Sequence, residues 1–357
     1  MKKKSYSIEE NSKKTEIVVG RNLTAQYLSE IGTQVKCLAL IGGGLFSSNK
    51  ERFNKFFSEN RSIDFKIVDD AEINKTIRNY QAILKLLHLS QIERRSAVFY
   101  FGGGTVSDLV GFACSTYKRG VALTGFPTTL LSMVDASIGG KNGIDLYGVK
   151  NLVGTFYLPE RIICDLDYLN SGNDLQKQGL GEIIKYGFMF DSSILNYLRN
   201  YRSFDELISA HDIEDIVLKC IDLKMNVVES DFYETSGIRQ ILNFGHTIGH
   251  LIEAASGYRL PHGQAILKGM IIESDILKNL GHDAYEVSDD IYDIISRYSI
   301  DLPVLDKAFM HRIAAYLKND KKINNGMIRM QLVKSPGKSE NVDVSVESIV
   351  RMLKKWT

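Results

Sequence analysis

Six short apolar runs constrain this chain more than any other feature: residues 15–20, 35–41, 65–68, 96–101, 121–126 and 162–165. They are rich in Val, Ile, Leu and Phe, and most end at Gly, Pro or Asp, the residues of turns. Several are continuous rather than alternating. That pattern belongs to strands covered on both faces, as happens when helices cross over a parallel sheet. Helical spacing follows the first run through Leu28 and returns over 74–87. The alternation predicts an open, mostly parallel α/β sheet over the first 170 residues. From Leu180 onward the spacing is mainly helical, with 327–333 as an isolated strand. A chain of 357 residues exceeds the usual single-domain size. The boundary is therefore placed near residue 170, giving an α/β domain over 1–170 and a mainly α-helical one over 171–357.

Charge narrows the partners. With 44 basic and 43 acidic residues the formal charge is +1, so no global basic field exists to hold nucleic acid. Cys37, Cys114, Cys164 and Cys220 form no C-x-x-C pair and read as buried thiols of a reducing compartment. The basic start Met1-Lys2-Lys3-Lys4 is not followed by an apolar segment, and no run reaches the length of a membrane span. A cytoplasmic protein is expected.

Four stretches carry candidate chemistry. Gly102-Gly103-Gly104 follows a strand and opens a helix; without Cβ atoms its N–H groups can approach a pyrophosphate, favoured by the helix dipole. Gly42-Gly43-Gly44 does not fit G-x-G-x-x-G and reads as a tight turn. The turn-rich loop from Gly139 to Gly148 carries Lys141, with Lys150-Asn151 beyond it. Lysines as point charges, with backbone donors, suit a phosphorylated small molecule; a solvated surface loop is the other reading. Glu182 and Lys185 stand three apart, ordinarily a surface pair worth a few tenths of a kcal/mol, yet their flanks are apolar and glycine-rich.

The fourth stretch runs from Arg239 through Ala255 and reads as one helix. At about 100° per residue Phe244, Ile248, Leu251, Ile252 and Ala255 share a face, and His246, His250 and Glu253 fall opposite. Two imidazoles a turn apart, a third at His262 and a carboxylate such as Glu182 make a set that suits a divalent metal. Zinc takes three protein ligands and keeps a position open when it does chemistry. A polar face of solvated histidines is the alternative.

Taken in order, Gly102-Gly103-Gly104 with Asp108, Tyr117-Lys118-Arg119-Gly120, Pro127-Thr128-Thr129, Asp135 with Gly139-Gly140-Lys141, Lys150-Asn151, Gly181-Glu182 with Lys185, Asn243-Phe244-Gly245-His246 with His250, Pro261-His262-Gly263 and Asp320-Lys321-Lys322 resemble the 3-dehydroquinate synthase family of sugar phosphate cyclases. The resemblance covers nearly the whole chain. It implies a Rossmann-like N-terminal domain binding NAD, a helical C-terminal domain binding metal and substrate, and a homodimer. Glu182, His246 and His262 would hold zinc or cobalt, with His250 on the substrate side. Lys141, Asn151, Asn243, Lys322 (or Lys321) and Arg119, reaching across the dimer, match phosphate contacts. Lys224 and Arg239 match a clamp on the substrate carboxylate. Asp135 and Lys185 match residues around the reacting hydroxyls. Glu72, Lys75, Gly103, Gly104, Asp108, Thr128, Thr129, Lys141 and Lys150 match cofactor contacts, Lys75 lying near substrate as well.

The implied reaction converts 3-deoxy-D-arabino-heptulosonate 7-phosphate to 3-dehydroquinate and phosphate, with transient oxidation by NAD, as in the shikimate pathway. The alternatives are a cyclase of the aminodehydroquinate, 2-epi-5-epi-valiolone or 2-deoxy-scyllo-inosose type, or an NAD-dependent polyol dehydrogenase. The Lys224–Arg239 pair favours a carboxylated substrate. Ser107, Asn142, Asp145, Gln264 and the Gly42-Gly43-Gly44 turn depart from the family pattern.

Overall fold

The computed structural model describes residues 2–8, 13–31, 35–60, 62–169, 174–317 and 325–355. The chain groups into two compact units, Met1–Asn170 with His211–Tyr233, and Ser171–Ala210 with Glu234–Thr357. A single boundary near 170 assigns the helix Ile213–Ser230 to the second unit; it packs within the first instead.

The first unit contains β1 (Lys2–Ile8), β2 (Lys13–Gly20), β3 (Cys37–Gly42), β4 (Ile63–Val68), β5 (Ala97–Gly102), β6 (Ala122–Pro127), β7 (Lys141–Leu146), β8 (Val149–Phe156) and β9 (Arg161–Asp165). Seven of these form one sheet in the order β1-β2-β9-β6-β5-β3-β4. All its pairings are parallel except β1 on β2. β3 is buried along its whole length and β5 nearly so, as their continuous apolar runs require. The chain steps from β3 outward to β4, then returns to the other side of β3 with β5. That reversal brings the Gly42 and Gly102 turns side by side at the carboxyl ends of neighbouring strands, where open α/β sheets bind ligands.

Two elements of this unit were not foreseen. The basic N-terminus forms β1, a strand that no apolar alternation marks in the sequence. Lys2 and Lys4 project to one side and meet Asp215 and Asp222 of the helix Ile213–Ser230, where Tyr6 also donates to Asp222. Lys3, on the other side, pairs with Glu16 at 2.7 Å. The turn-rich loop is also structured: β7 and β8 form an antiparallel hairpin. Tyr147 and Gly148 have φ of 53° and 74°, as a two-residue hairpin turn of matching twist demands. Gly143 lies opposite Gly154, and those two glycines made the strands look like loop.

The second unit is mainly helical. Its core joins the helices His246–Ala255, His262–Asn279, Lys307–Leu317 and Val346–Lys355 through Ile248, Ile252, Ile272, Ile276, Met310, Ile313, Ile349 and Leu353. The strand expected at 327–333 is not isolated. β10 (Met327–Ser335) pairs antiparallel with β11 (Lys338–Ser345), whose polar sequence hid it. Nor is 239–255 a single helix. Ile238–Asn243 is a 3-10 turn, and the α-helix starts at His246 after Gly245 breaks the path at φ 76°. Among the described residues no helix is long and apolar enough to cross a membrane.

Candidate active site

Three helices of the second unit converge through glycines. A Cβ on Gly181 would lie 2.9 Å from Gly263 Cα and 2.9 Å from its carbonyl oxygen, and one on Gly263 would strike the Gln178 carbonyl. So the helix Gly179–Met189 and the start of His262–Asn279 touch backbone to backbone. This explains the glycine-rich flanks of Glu182: they belong to a helix crossing, and every residue of Gly179–Met189 is buried. Likewise a Cβ on Gly245 would lie 2.7 Å from the Ile266 carbonyl, which locks the start of the His246 helix to the same neighbour.

The crossing places three ligand types together. Glu182 Oε1 lies 3.3 Å from His246 Nε2 and 3.2 Å from His262 Nε2, and the three ligand atoms all lie within 4.8 Å of one another. Bonds of about 2.0–2.1 Å to a tetrahedral zinc imply ligand atoms roughly 3.4 Å apart. The two distances from Glu182 therefore match edges of a tetrahedron around one ion, and the triad's chemistry, two imidazoles and a carboxylate, suits zinc or cobalt. The second oxygen of Glu182 accepts from Lys185 Nζ. His246 Nδ1 stands 3.0 Å from the Phe244 carbonyl, so its N–H donates there and the Nε2 lone pair faces the triad. His262 Nδ1 faces Glu253 Oε2 at 3.5 Å.

A second set, His250, Glu253 and His262, is equally close but uses the other nitrogen of His262. His250 is exposed, 4.0 Å from Glu253, whereas Glu253 is buried. The polar face read from the sequence is thus divided, with His246 and Glu253 inside and His250 outside.

Electrostatics favour the ligand forms of Glu182 and His246, whereas those around His262 favour its protonated form. Burial raises the Glu182 carboxyl, but Lys185 and His246 outweigh it and hold Glu182 well below the usual carboxylate range. Burial lowers His246, and the Lys185 charge lowers it further, so it is neutral. Burial alone would lower His262 too, but its bonds to Glu182 and Glu253 prevail and push it up to about 10.

In the first unit the helix Gly104–Thr116 begins directly after β5, with Gly103 as its N-cap. A Cβ on Gly103 would meet Thr129 Cγ2 at 3.3 Å, and Thr128 N–H donates to the Gly102 carbonyl at 3.0 Å. Gly103, Gly104, Thr128 and Thr129 therefore share one corner. Beside the helix start, Thr105 donates to Glu72 at 2.7 Å, and Glu72 pairs with Lys150 at 3.2 Å. Lys75, 3% exposed, pairs with Asp108. Burial pushes Asp108 up to about 6 in spite of Lys75. Burial also opposes the charge on Lys75, yet Asp108 and Glu72 leave it above the ordinary ammonium value. Asp145 accepts the Asn151 N–H at 2.8 Å and donates its own to the Lys75 carbonyl at 2.8 Å, tying β7 and β8 into this network. Elsewhere in the unit Lys224 Nζ holds both the carbonyl and the carboxylate of Asp135 at 2.7 Å.

Lys141 is exposed at the start of β7. Arg119 is exposed beyond the end of the helix Gly104–Thr116, one helix length or about 20 Å from Gly104. Arg239, 3% exposed, has Nε 3.8 Å from Glu234. Asn243 ends the 3-10 turn ahead of His246. Lys321 and Lys322 lie outside the described residues. The sequence reading missed Asp70, whose carboxylate accepts the Gly44 N–H at 2.8 Å, so Gly42-Gly43-Gly44 is a helix start packed on an acid rather than a bare turn. It also missed Glu273, fully buried in the third helix of the crossing. The one visible signal was a lone acid within an apolar helical run, Met270-Ile271-Ile272-Glu273.

Residues 65–178 match the family described as 3-dehydroquinate synthase N-terminal, and residues 179–323 the one described as 3-dehydroquinate synthase C-terminal. A 3-dehydroquinate synthase of Thermoplasma volcanium is 37% identical over 333 residues, 93% of this chain and 92% of the relative. One of Sulfurisphaera tokodaii is 40% identical over 313 residues, 85% of this chain and 88% of the relative. Among solved structures, 2-deoxy-scyllo-inosose synthase complexed with carbaglucose-6-phosphate, NAD+ and Co2+ is similar with a TM-score of 0.84, at 23% identity over 100% of both chains. The 2-epi-5-epi-valiolone synthase of Streptomyces hygroscopicus subsp. jinggangensis, with NAD+ and Zn2+ bound, has a TM-score of 0.81, at 22% identity over 95% of each chain. At such identities the likeness to the solved structures is one of fold.

Proposed function

This chain belongs to the 3-dehydroquinate synthase family, and from that premise we propose how its residues carry the reaction. It is a carbon–oxygen lyase that takes 3-deoxy-D-arabino-heptulosonate 7-phosphate to 3-dehydroquinate and phosphate. The observation that carries the residue assignment is the triad Glu182, His246 and His262, with its donor atoms at 3.2 and 3.3 Å. Glu182, His246 and His262 would hold the divalent ion, which would supply polarisation of substrate hydroxyls, and the Gly103–Gly104 corner would hold NAD, which would supply the hydride acceptor and donor.

The remaining work falls to side chains. Lys185 fixes one oxygen of Glu182, so the other points at the imidazoles. His250, the exposed imidazole of the group, binds and moves a proton at the substrate hydroxyls. Arg239 is a buried guanidinium and receives the substrate carboxylate as a fork, with Lys224 as the second cation. Asp135, held by Lys224, lies beside the reacting hydroxyls in this reading. Lys141, Asn151, Asn243 and Lys322 are assigned to the phosphate. Glu72, Lys75, Asp108, Thr128, Thr129 and Lys150 are assigned to the cofactor, supported by the network around the start of the Gly104 helix. Arg119 sits far from that corner, which supports its assignment to the site of a partner subunit in a homodimer. Four buried thiols fit a reducing, cytoplasmic setting.

The test is incubation with the heptulosonate phosphate, NAD and zinc or cobalt, with the product identified by mass. Phosphate and dehydroquinate are expected, with no net NADH. Absence of phosphate release at every metal loading overturns the reading, and accumulating NADH identifies a dehydrogenase. Arg239→Ala should raise KM by about tenfold or more, because a charge-assisted fork is worth about 1.5–3 kcal/mol. Unchanged kinetics would remove the carboxylate assignment.

A further inference from the structure

Glu273 is 0% exposed and lies on the helix His262–Asn279. Its two oxygens are spent on backbone donors of a different helix. Oε2 accepts the Gly245 N–H at 2.9 Å, and Oε1 accepts the Ile248 N–H at 2.9 Å. Those two residues bracket His246, the first residue of its helix. A helix leaves its first N–H groups without intrahelical acceptors, and they carry the positive end of its dipole. The N-cap residue usually accepts one of them through its side chain. Here the N-cap is Gly245, which has none. Its φ of 76° and the Ile266 carbonyl, 2.7 Å from where a Cβ would sit, leave no room for one. The cap comes from the neighbouring helix, as a carboxylate rather than a hydroxyl.

A buried carboxylate is costly unless its charge is compensated. Two N–H donors and a helix N-terminus provide that compensation here. They also fix the first turn of the His246 helix against the helix that bears His262. The His246 ring is fixed separately, through Nδ1 and the Phe244 carbonyl. We propose that Glu273 is a positioning residue for the metal centre: it anchors the backbone on either side of His246 and so holds its Nε2 in register with Glu182 and His262. The proposal rests on the triad being the metal site.

The experiment compares the whole protein with Glu273→Gln and with a packing control, Ile272→Val, which trims a buried side chain of the same helix. Zinc affinity is measured by competition with a chromophoric chelator, the cobalt-loaded protein by its visible spectrum, and stability by thermal unfolding. The glutamine keeps the shape but turns an NH2 toward a backbone N–H. Glu273→Gln should weaken zinc binding by about 10–100-fold, the usual range for groups that support metal ligands, and alter the cobalt spectrum. Ile272→Val should lower the melting temperature without changing either. Zinc affinity and cobalt spectrum equal to wild type in Glu273→Gln, at whatever melting temperature, overturn the proposal. Wild-type protein that binds neither metal overturns the triad instead.

Discussion

In the proposed metal centre, His262 is the residue at which metal binding and proton binding compete. Its Nε2 faces Glu182 and its Nδ1 faces Glu253, and together the two carboxylates push it up to about 10. At neutral pH it is therefore an imidazolium, whereas His246, lowered by burial and by Lys185, already offers a lone pair. A metal needs the Nε2 lone pair of His262, so loading must release a proton. Affinity should then rise with pH, by up to about tenfold per unit below His262's own value. Calorimetry of zinc binding in buffers of differing ionisation enthalpy should show about one proton released per metal at pH 7; a heat independent of the buffer would contradict this. None of this was legible in the sequence. The spacing of His246 and His250 was visible, but the partners that divide their environments lie on other helices. Glu253 reads as one more polar residue on a solvated face, yet it is buried against the ring of His262. The resemblance assigned His246 to the metal and His250 to the substrate side; the structure buries the first and exposes the second.

At the scale of elements, the centre depends on how closely helices approach. Glu182 and His262 come within ligand distance because Gly181 and Gly263 let two backbones touch. Gly181→Ala should push the helices apart or strain them, at a cost on the order of 1–3 kcal/mol. The expected outcome is a lower melting temperature together with weaker zinc binding, measured as metal retained after dialysis. A variant that melts lower but keeps full zinc content would show that the crossing supports the fold alone. Strands with strong apolar runs were legible because burial on both faces writes itself into composition, as in β3 and β5. The hairpin of β7 and β8 was not, since Gly143 and Gly154 serve close pairing yet look like turn residues. The break at Gly245 was equally hidden: apolar periodicity runs through it, and only the backbone conformation separates the 3-10 turn from the helix.

At the scale of the whole molecule, chain order and packing order disagree. The helix Ile213–Ser230 follows part of the second unit in sequence yet packs within the first, an arrangement that a single boundary drawn from hydrophobic spacing could not express. Its acids receive Lys2, Lys4 and Tyr6 of β1, and its Lys224 holds Asp135. It buries Ile213, Ile216, Val217, Cys220, Ile221, Met225 and Val228. At about 1.5–3 kcal/mol for each large apolar side chain removed from water, that face outweighs the charge pairs of β1, which are exposed or only partly buried. A fragment of residues 1–170 should therefore leave an apolar face uncovered, bind a hydrophobic dye and unfold without a sharp transition. Joining residues 211–233 to it through a flexible linker should suppress dye binding and restore cooperative melting, followed by circular dichroism. If the shorter fragment alone melts cooperatively at the same temperature, the helix is not part of the first unit's folding core. If neither fragment melts cooperatively while the full chain does, the first unit depends on more than this segment, and the packing assignment of the helix carries no independent stability.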